Sequence, residues 1–297
     1  MADSSKSKIP IHVSNKKALV WNPEDASTLR SKYRVTGTLI GTLPSISQQN
    51  VFLGLPLLLM PEEVVLLVGN GVAVLLDDST SHRTSTAPEL REWHARRIKS
   101  AHAQIALPND ASSSSSPEAL RKRAEREAMR AARQSALAEM TKRRGMLQVR
   151  SPAPVVLDSL PPYTVHIPST SDGLSWYNPA EYDTLSAASA AGIWTYPSTY
   201  EERARCAVFR ALSEKGYYMG GGIRFGGDWL VYPGDPLRYH SHFVATVYPK
   251  PTSSLRPIDI VALGRLGTAT KKAHLLCGWD EENDSVDFYS IEWAGFG

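Results

Sequence analysis

The chain has 297 residues, of which 42% are apolar, so it is long and hydrophobic enough for two globular domains. Its formal net charge of +3 does not indicate a uniformly basic surface. The two cysteines, Cys206 and Cys277, lie far apart, which excludes a disulfide framework and a cysteine-rich zinc site and is typical of a reducing compartment. We expect neither a membrane span nor a secretory signal, because no apolar stretch is long enough and the N-terminus is polar.

The first region favours short strands and one helix. Ile9 to Val13 and Lys17 to Trp21 are predicted to be strands, and Ser14-Asn15 between them fits a turn. Pro23 to Tyr33 has the polarity and the N-terminal proline of a short helix. The apolar stretch from Val51 to Val68 is interrupted by prolines and glutamates, so it predicts two short buried elements.

An Asn-Gly pair at positions 70 and 71 gives the strongest hairpin signal in the chain. Apolar runs flank it, from Val64 to Val68 and from Val72 to Leu76. Asn-Gly tolerates the positive φ values that a tight hairpin turn needs. We therefore predict a hairpin here, within a small α+β domain that spans residues 1–102 and shows no evident chemistry.

Residues 103–170 are predicted to form a flexible, basic helical linker. Ser112 to Ser116 is low-complexity sequence, and Pro117 to Arg144 is rich in Ala, Arg and Glu with no interior Gly or Pro, which favours helix. The segment from Pro117 to Gly145 carries nine Lys or Arg and four Asp or Glu, so most of the basic character of the chain lies here. Such a polar helix has two interpretations. It is an exposed, solvated helix, or it has a function as an RNA-contacting arm or a nuclear-import signal.

The second domain, residues 171–297, starts with a helix that is predicted over Tyr200 to Lys215. Ser198 is placed to cap it, with Glu201 three residues on, and Gly216 ends it. Its apolar residues recur on one face, the pattern of a helix that lies on a sheet: Ala204, Ala207, Val208, Ala211 and Leu212. Strands are predicted on both sides of a short helix at Pro257 to Leu266: Tyr217 to Met219, Trp229 to Tyr232, His242 to Tyr248, Ala273 to Cys277 and Asp287 to Trp293. This order predicts an α+β fold.

A turn after the second of these strands carries residues suited to acid–base chemistry. Pro-Gly-Asp-Pro at 233–236 forces a turn that can bring Tyr232 and His240 to one sheet edge. Histidine exchanges protons near pH 7. A tyrosine with a reference pKa near 10 is ionised in only roughly one molecule in a thousand at pH 7, a deficit of about 4 kcal/mol, so a tyrosine base needs a cation nearby. Lys271 and Lys272 open a later strand and could supply it.

Each of these residues also has an ordinary interpretation. Tyr232 alone is typical of a strand aromatic with a hydrogen-bonded hydroxyl, and His240 alone is typical of a loop histidine. His240 and His242 together with Asp235 suggest a metal site, because residues two apart on an extended strand share a face. No further ligand cluster at metal spacing follows, so we expect neither a metal nor a cofactor.

The motifs taken together resemble the catalytic domain of the tRNA-splicing endonucleases. Gly221 to Phe243 contains Tyr-Pro-Gly-Asp-Pro and Tyr-His-Ser-His, and Asp259 to Lys272 contains a second signature block that ends in Thr-Lys-Lys. The resemblance covers residues 180–297, extends more weakly to the N-terminal part, and is closest to the eukaryotic subunit that cuts the 3′ splice site. It implies a restriction-endonuclease-like α/β nuclease domain with a mixed sheet.

This resemblance implies a catalytic triad of Tyr232, His240 and Lys271. Tyr232 would accept the proton of the 2′-hydroxyl, His240 would protonate the departing 5′-oxygen, and Lys271 would stabilise the transition-state charge. The products would carry a 2′,3′-cyclic phosphate and a 5′-hydroxyl, with no metal required. Family spacing favours Lys271 over Lys272, and His240 is preferred over His242 because His242 begins an apolar strand.

The resemblance also implies substrate contacts and partners. Family members clamp a bulged base of the RNA between a guanidinium and an indole that are contributed across subunits, and Arg265 and Trp293 are at plausible positions for this clamp. The terminal apolar strand from Val286 to Trp293 is suited to pairing with another subunit. We expect a heterotetramer with a second catalytic and two structural subunits, precursor tRNA as substrate, and a nuclear location. The alternatives are the 5′-site catalytic subunit, a homodimeric enzyme, and a non-catalytic structural subunit.

Overall fold

A computed structural model of the chain describes residues 8–41, 53–106, 129, 171, 173–248 and 254–293. Two units divide the chain: one comprises Met1–Ser85 with Ser169–Gly297, and the other is Thr86–Pro168. The predicted serine joint and basic helix lie outside the described residues, apart from Met129. In the second unit, Ala87–Ala106 is a helix. The Glu89 carboxylate in its first turn accepts hydrogen bonds from the amide and the hydroxyl of Thr86, the residue just before the helix.

The first sheet has six strands in the order β3-β4-β2-β1-β5-β6. Its strands are β1 (Ile9–Ser14), β2 (Lys17–Val20), β3 (Thr38–Gly41), β4 (Gly54–Leu58), β5 (Ala73–Asp77) and β6 (Ala180–Tyr182). β1 and β5 are parallel and the other pairs are antiparallel, so the sheet is mixed. Its helices are α1 (Pro23–Tyr33), α2 (Pro61–Gly69) and, after the helix α3 (Ala87–Ala106) of the other unit, α4 (Leu185–Ala190).

The predicted start of this domain is confirmed. Asn15 and Lys16 both have positive φ, as a tight turn between β1 and β2 requires. Helix α1 has the predicted bounds, with Pro23 in its first turn and the Glu24 amide donating to the Asn22 side chain at 2.8 Å. The β strand and helix after Val51, at Gly54–Leu58 and Pro61–Gly69, are the two predicted buried elements.

The predicted hairpin around Asn70-Gly71 is wrong. Val64 to Val68 lies in α2, and β5 pairs in parallel with β1 instead. A short, wholly apolar run does not distinguish a buried helix from a buried strand, whereas Pro61 followed by two glutamates is typical of a helix start. Gly71 has a φ of +68°, but Asn70 has −85°, so the pair ends a helix and does not form the two-residue hairpin turn.

The second sheet has five strands in the order β11-β10-β9-β8-β7. The elements of this region are α5 (Tyr200–Glu214), β7 (Tyr218–Gly221), β8 (Trp229–Tyr232), β9 (Phe243–Tyr248), α6 (Pro257–Ala269), β10 (Ala273–Asp280) and β11 (Ser285–Ile291). β9 and β10 are parallel, with α6 between them in sequence, and the remaining pairs are antiparallel. The predicted α+β class, with a mixed sheet in the nuclease-type domain, is confirmed.

Helix α5 lies on this sheet through the predicted apolar face. Phe209 joins that face and packs edge-on against Trp229, with ring centroids 5.6 Å apart. The capping residue is Thr199 and not Ser198, and the box is closed by Glu202 and not Glu201. The Glu202 carboxylate accepts hydrogen bonds from the amides of both Ser198 and Thr199. The cap therefore lies one residue later than predicted, while the helix begins at Tyr200 as predicted.

A partly buried ionic contact joins helix α2 of the first region to helix α5 of the second. Arg205 of α5 donates to Glu62 of α2 at 2.8 Å and also pairs with Asp228 before β8. Strand β6 pairs with β5 of the first sheet, although it falls within the range predicted for the catalytic domain. Among the described residues, no helix is both long and apolar enough to cross a bilayer.

Candidate active site

The mixed topology brings three chain segments to one edge of the second sheet. Val231, Phe243 and Ala273 are aligned across β8, β9 and β10. β8 ends at this edge, while the parallel strands β9 and β10 both begin there. The residues just after β8 and just before β9 and β10 therefore converge, and these are the segments that contain the predicted triad.

Backbone hydrogen bonds extend this alignment into the loops. The His242 amide donates to the Val231 carbonyl at 2.9 Å, and the Ala273 amide donates to the His242 carbonyl at 3.1 Å. His242 is thereby fixed between the end of β8 and the start of β10. These main-chain hydrogen bonds fix Val231, His242 and Ala273, and so they hold the neighbouring side chains at the same edge of the sheet.

An open cleft of about 800 Å³ lies at this edge. Its lining comes from the loop before β9, the end of α6 and the residues after β11: His240, Ser241, His242, Phe243, Thr268, Thr270, Lys271, Lys272, Ala273, Glu292 and Trp293. His240 and Lys271 are exposed within it. The structure thus brings together two of the three predicted triad residues around a space large enough for a nucleotide.

Tyr232 lies beside the cleft and does not line it. It ends β8 and is half-buried, and burial raises the pKa of its phenol, while a hydrogen bond with the Ser241 side chain lowers it. Ser241 is buried and also lines the cleft, so it connects Tyr232 to the cleft. The predictions did not include Ser241. Its signal was its place between two exposed histidines, since alternate residues of an extended segment face opposite sides.

Lys271 is presented by an unusual backbone conformation. It follows α6 with a φ of +55°, a left-handed position where glycine is usual. The Lys271 amide donates to the Thr268 carbonyl and the Lys272 amide to the Gly267 carbonyl, at 3.1 and 2.9 Å. A Cβ at Gly267 would lie 2.6 Å from the Lys272 carbonyl oxygen, so the turn requires glycine there. This closing turn of α6 directs the chain sharply into β10.

The two neighbouring lysines differ in their surroundings. The Lys272 ammonium donates to the Thr270 carbonyl at 3.2 Å and lies 5.8 Å from the centroid of the Phe225 ring. Lys271 is exposed and, within the described part of the chain, its ammonium has no hydrogen-bond or ion-pair partner. Of the two lysines, Lys271 has the ammonium that is available to a bound anion.

The two histidines also differ, though less strongly. Both are exposed and both line the cleft. The His242 ring lies edge-on to Phe243, with centroids 6.4 Å apart, and its backbone is held by both neighbouring strands. Among the described contacts, His240 has neither a ring contact of this kind nor backbone hydrogen bonds to the two strands, and it lies at the end of the turn. The geometry leaves His240 the freer of the two to meet a substrate.

The two predicted RNA-clamping residues have different positions. Trp293 lines the cleft and is 51% exposed, with its ring against α6 at Gly264. Arg265, on the same helix, is exposed but lies outside the lining. Across the described ranges, no group of three His, Cys, Asp or Glu side chains is arranged to hold a metal ion.

Comparison with known proteins identifies the two regions. Residues 9–78 match the family model described as the TSEN34-like N-terminal domain. Residues 203–289 match the model described as the tRNA intron endonuclease catalytic C-terminal domain, and they contain Tyr232, His240 and Lys271. The two matches correspond to the two sheets.

Full-length relatives share both regions. The chain is 30% identical to the probable tRNA-splicing endonuclease subunit sen34 of Schizosaccharomyces pombe, over 98% of this chain and 99% of the relative. It is also 30% identical to the tRNA-splicing endonuclease subunit Sen34 of Homo sapiens, over 96% and 98%. An archaeal tRNA-splicing endonuclease, from Methanopyrus kandleri, is 32% identical over 31% of this chain. The chain therefore belongs to the Sen34 family of tRNA-splicing endonuclease subunits.

Proposed function

We propose that this chain is the catalytic subunit that cuts precursor tRNA at the 3′ splice site by metal-independent transesterification. The observation that carries the proposal is the cleft at the second sheet edge, which exposes His240 and Lys271 and has Tyr232 directly beside it. A non-catalytic structural subunit would have no need for all three side chains at one edge. The names of the full-length relatives support the assignment to tRNA splicing.

The proposed reaction uses a nucleophile within the RNA. Tyr232 accepts the proton of the 2′-hydroxyl, the 2′-oxygen bonds to the adjacent phosphorus, and the bond from phosphorus to the 5′-oxygen breaks. His240 donates its proton to that 5′-oxygen, so one fragment ends in a 2′,3′-cyclic phosphate and the other begins with a 5′-hydroxyl. Lys271 neutralises charge on the phosphorane-like transition state. Positioning and proton transfer suffice, since the nucleophile is already attached to the substrate.

The protonation state of Tyr232 sets a condition on this mechanism. In the free protein, burial raises the pKa of its phenol, and the hydrogen bond with Ser241 acts in the opposite direction. Because a raised pKa makes the ionised form rarer, the base must be assisted once RNA is bound. Ser241 opposes the effect of burial, and the proposal therefore includes Ser241 as the residue that keeps Tyr232 usable as a base.

Substrate and partner contacts complete the proposal. Trp293 stacks on a bulged base with Arg265 on the other side, an interaction worth roughly 1–3 kcal/mol per base. Strand β11 is an edge strand with Tyr289 62% exposed, which suits pairing with another subunit. We propose a heterotetramer with a second catalytic and two structural subunits, located in the nucleus.

The decisive experiment replaces His240 in the full complex. When the variant chain is assembled with its co-purifying subunits, His240→Ala should abolish the 3′ cut in precursor tRNA and leave the 5′ cut intact. In a separate assay, EDTA should have no effect on cleavage by the parent complex. His242→Ala is the matched control, because this histidine is exposed in the same cleft, and it should cut both sites. End-group analysis should find the cyclic phosphate.

Three results would contradict the proposal. Loss of the 5′ cut with His240→Ala would assign the other splice site to this subunit. Sensitivity of the parent complex to EDTA would overturn the metal-independent mechanism. Unchanged cleavage at both sites would leave the cleft without a catalytic role and favour the structural subunit.

A further inference from the structure

The turn that carries His240 is held by the N-terminal domain. We propose that Arg30 of α1 is a positioning residue for RNA cleavage, acting on His240 through Asp235. This inference rests on the proposed function and adds to it a role for the first domain, in which the sequence shows no chemistry.

The contact between the two domains is bidentate. Arg30 Nη2 donates to Asp235 Oδ1 at 2.7 Å, and Arg30 Nε lies 3.2 Å from both carboxylate oxygens. The side chains are 30% and 31% exposed, so both are partly shielded from water. Paired donors on a planar guanidinium fix the orientation of a carboxylate as well as its distance.

Asp235 is also the residue on which the turn is built. Its Oδ1 accepts a hydrogen bond from the Leu237 amide at 2.9 Å, the pattern of an Asx turn. Its carbonyl accepts from the amides of Arg238 and Tyr239, at 2.8 and 3.0 Å. The next residue is His240. Arg30 therefore holds the carboxylate that shapes the backbone leading directly to the proposed general acid.

The main chain of Arg30 is fixed to the strand beside Tyr232. The Tyr218 hydroxyl donates to the Arg30 carbonyl at 3.2 Å, and Tyr218 is aligned with Tyr232 across β7 and β8. One residue of α1 thus touches the strand next to the proposed base through its backbone and the turn of the proposed acid through its side chain. Arg30, which lies outside the nuclease domain, therefore helps to fix the distance between Tyr232 and His240.

The expected effect lies in rate and not in stability. A partly exposed ion pair adds little to the stability of a folded protein. Displacement of a reacting group by about 1 Å can cost roughly 100-fold in rate. A positioning role therefore predicts a large loss of turnover with little change in melting temperature, whereas a purely structural contact would change stability and turnover together.

Arg34 provides a matched control for simple attachment of the domains. It follows α1, and its Nη1 donates to the Ser213 carbonyl near the end of α5 at 3.4 Å. It links the same two domains without touching the turn. If Arg30 acted only by attaching one domain to the other, removal of Arg34 should have a similar consequence.

The test compares four variants of the full chain, each assembled with its co-purifying subunits and assayed on precursor tRNA. Arg30→Gln and Asp235→Asn should each lower kcat for the 3′ cut by roughly 10- to 100-fold. The KM, the 5′ cut and the melting temperature should stay unchanged. Asp235→Asn retains the acceptor for the Leu237 amide, so it tests the ion pair and not the turn. The double variant should be no slower than the slower single variant, and Arg34→Gln should cut normally.

Hydrogen exchange gives a second readout that does not depend on RNA. The amides of Leu237, Arg238 and Tyr239 should exchange faster in Arg30→Gln and at the parent rate in Arg34→Gln. Unchanged turnover, additive losses in the double variant, or equal losses in Arg34→Gln would overturn the positioning role. Failure of the proposed function is distinguishable, because it shows as intact 3′ cleavage in His240→Ala.

Discussion

The polar groups of the two sheets have opposite surroundings. In the first domain, Glu63 is fully buried and accepts hydrogen bonds from the amides of Thr36, Gly37 and Met60 at 2.8 to 3.1 Å. At the edge of the second sheet, His240 and Lys271 are exposed, and their side chains have no partner among the described residues. Glu63 is thus enclosed and engaged within the protein, while His240 and Lys271 are accessible to a ligand.

This difference separates residues that stabilise the fold from residues that are proposed to react. A buried carboxylate that is fully hydrogen-bonded stabilises one packing arrangement and cannot approach a substrate. An exposed cation and an exposed imidazole contribute little to folding, and so their positions need another explanation. If this division between the two domains holds, substitutions at the edge of the second sheet should change activity, and substitution of Glu63 should change stability.

Removal of the phenol oxygen should have the largest effect. Tyr232→Phe keeps the ring at the end of β8 but removes the proposed base, and general-base catalysis contributes roughly 10²- to 10⁴-fold. Cleavage at the 3′ site, measured in single-turnover assays of the assembled complex, should fall by that factor. Tyr239→Phe is the control, since Tyr239 is 54% exposed in the adjacent turn. A loss below about tenfold in Tyr232→Phe would remove this tyrosine from the mechanism.

The two neighbouring lysines should differ sharply. Lys271→Ala removes the ammonium that is free to meet the phosphate, and loss of one such stabilising group costs roughly 10²- to 10³-fold in kcat. Lys272→Ala removes an ammonium already engaged by the Thr270 carbonyl and should have only a slight effect. The measurement is kcat for the 3′ cut in both variants. A reversed order would transfer the catalytic role to Lys272.

The stability of the first domain should depend on pH through Glu63. Burial raises the pKa of this carboxyl from its ordinary value of 4.5 to about 7, against the lowering effect of its hydrogen bonds. Between these values the folded state binds more protons than the unfolded state, so the free energy of unfolding should fall by about 3 kcal/mol as the pH rises from 4.5 through 7. Urea denaturation at pH 5 and pH 8 measures this.

Two variants complete the stability test. Glu63→Gln should remove most of the pH dependence, because the amide does not titrate. Glu201→Gln, at an exposed position in the first turn of α5, should retain it. If both variants behave like the parent protein, the buried carboxylate is not the group whose titration weakens the fold, and the contrast between the two sheets loses its energetic basis.

Much of the fold could be predicted because local signals agreed with the tertiary structure. Helix α1 has its predicted bounds, since Pro23 and the Asn22 cap act within the helix itself. Strand β8 was also predicted correctly, because a short run of apolar residues bounded by turn signals is typical of a buried strand. Helix α2 was predicted wrongly because its short apolar run fits a buried strand as well as a buried helix, and the helix-start signal of Pro61 and the two glutamates after it was outweighed by the Asn-Gly pair.

The site was only partly predictable for a similar reason. The three triad positions could be named from their motifs, and the structure places them at one edge, but their catalytic role remains a prediction. Arg30 had no local signal, and the only local signal of Ser241 was its place between two histidines. Ser241 matters through a neighbour on another strand, and Arg30 through a residue of another domain. Pairings between residues distant in sequence have no periodicity from which to infer them.

The parallel pairing of β9 with β10 has a consequence for biosynthesis. His240 and Lys271 come to one edge only when β10 has aligned beside β9, after the crossover through α6 has formed. Such long-range parallel pairing is slow compared with local structure. During synthesis, the turn that carries His240 is made before Lys271 and β10, which follow it in the chain. We therefore expect the proposed site to be incomplete in partly synthesised chains that lack β10.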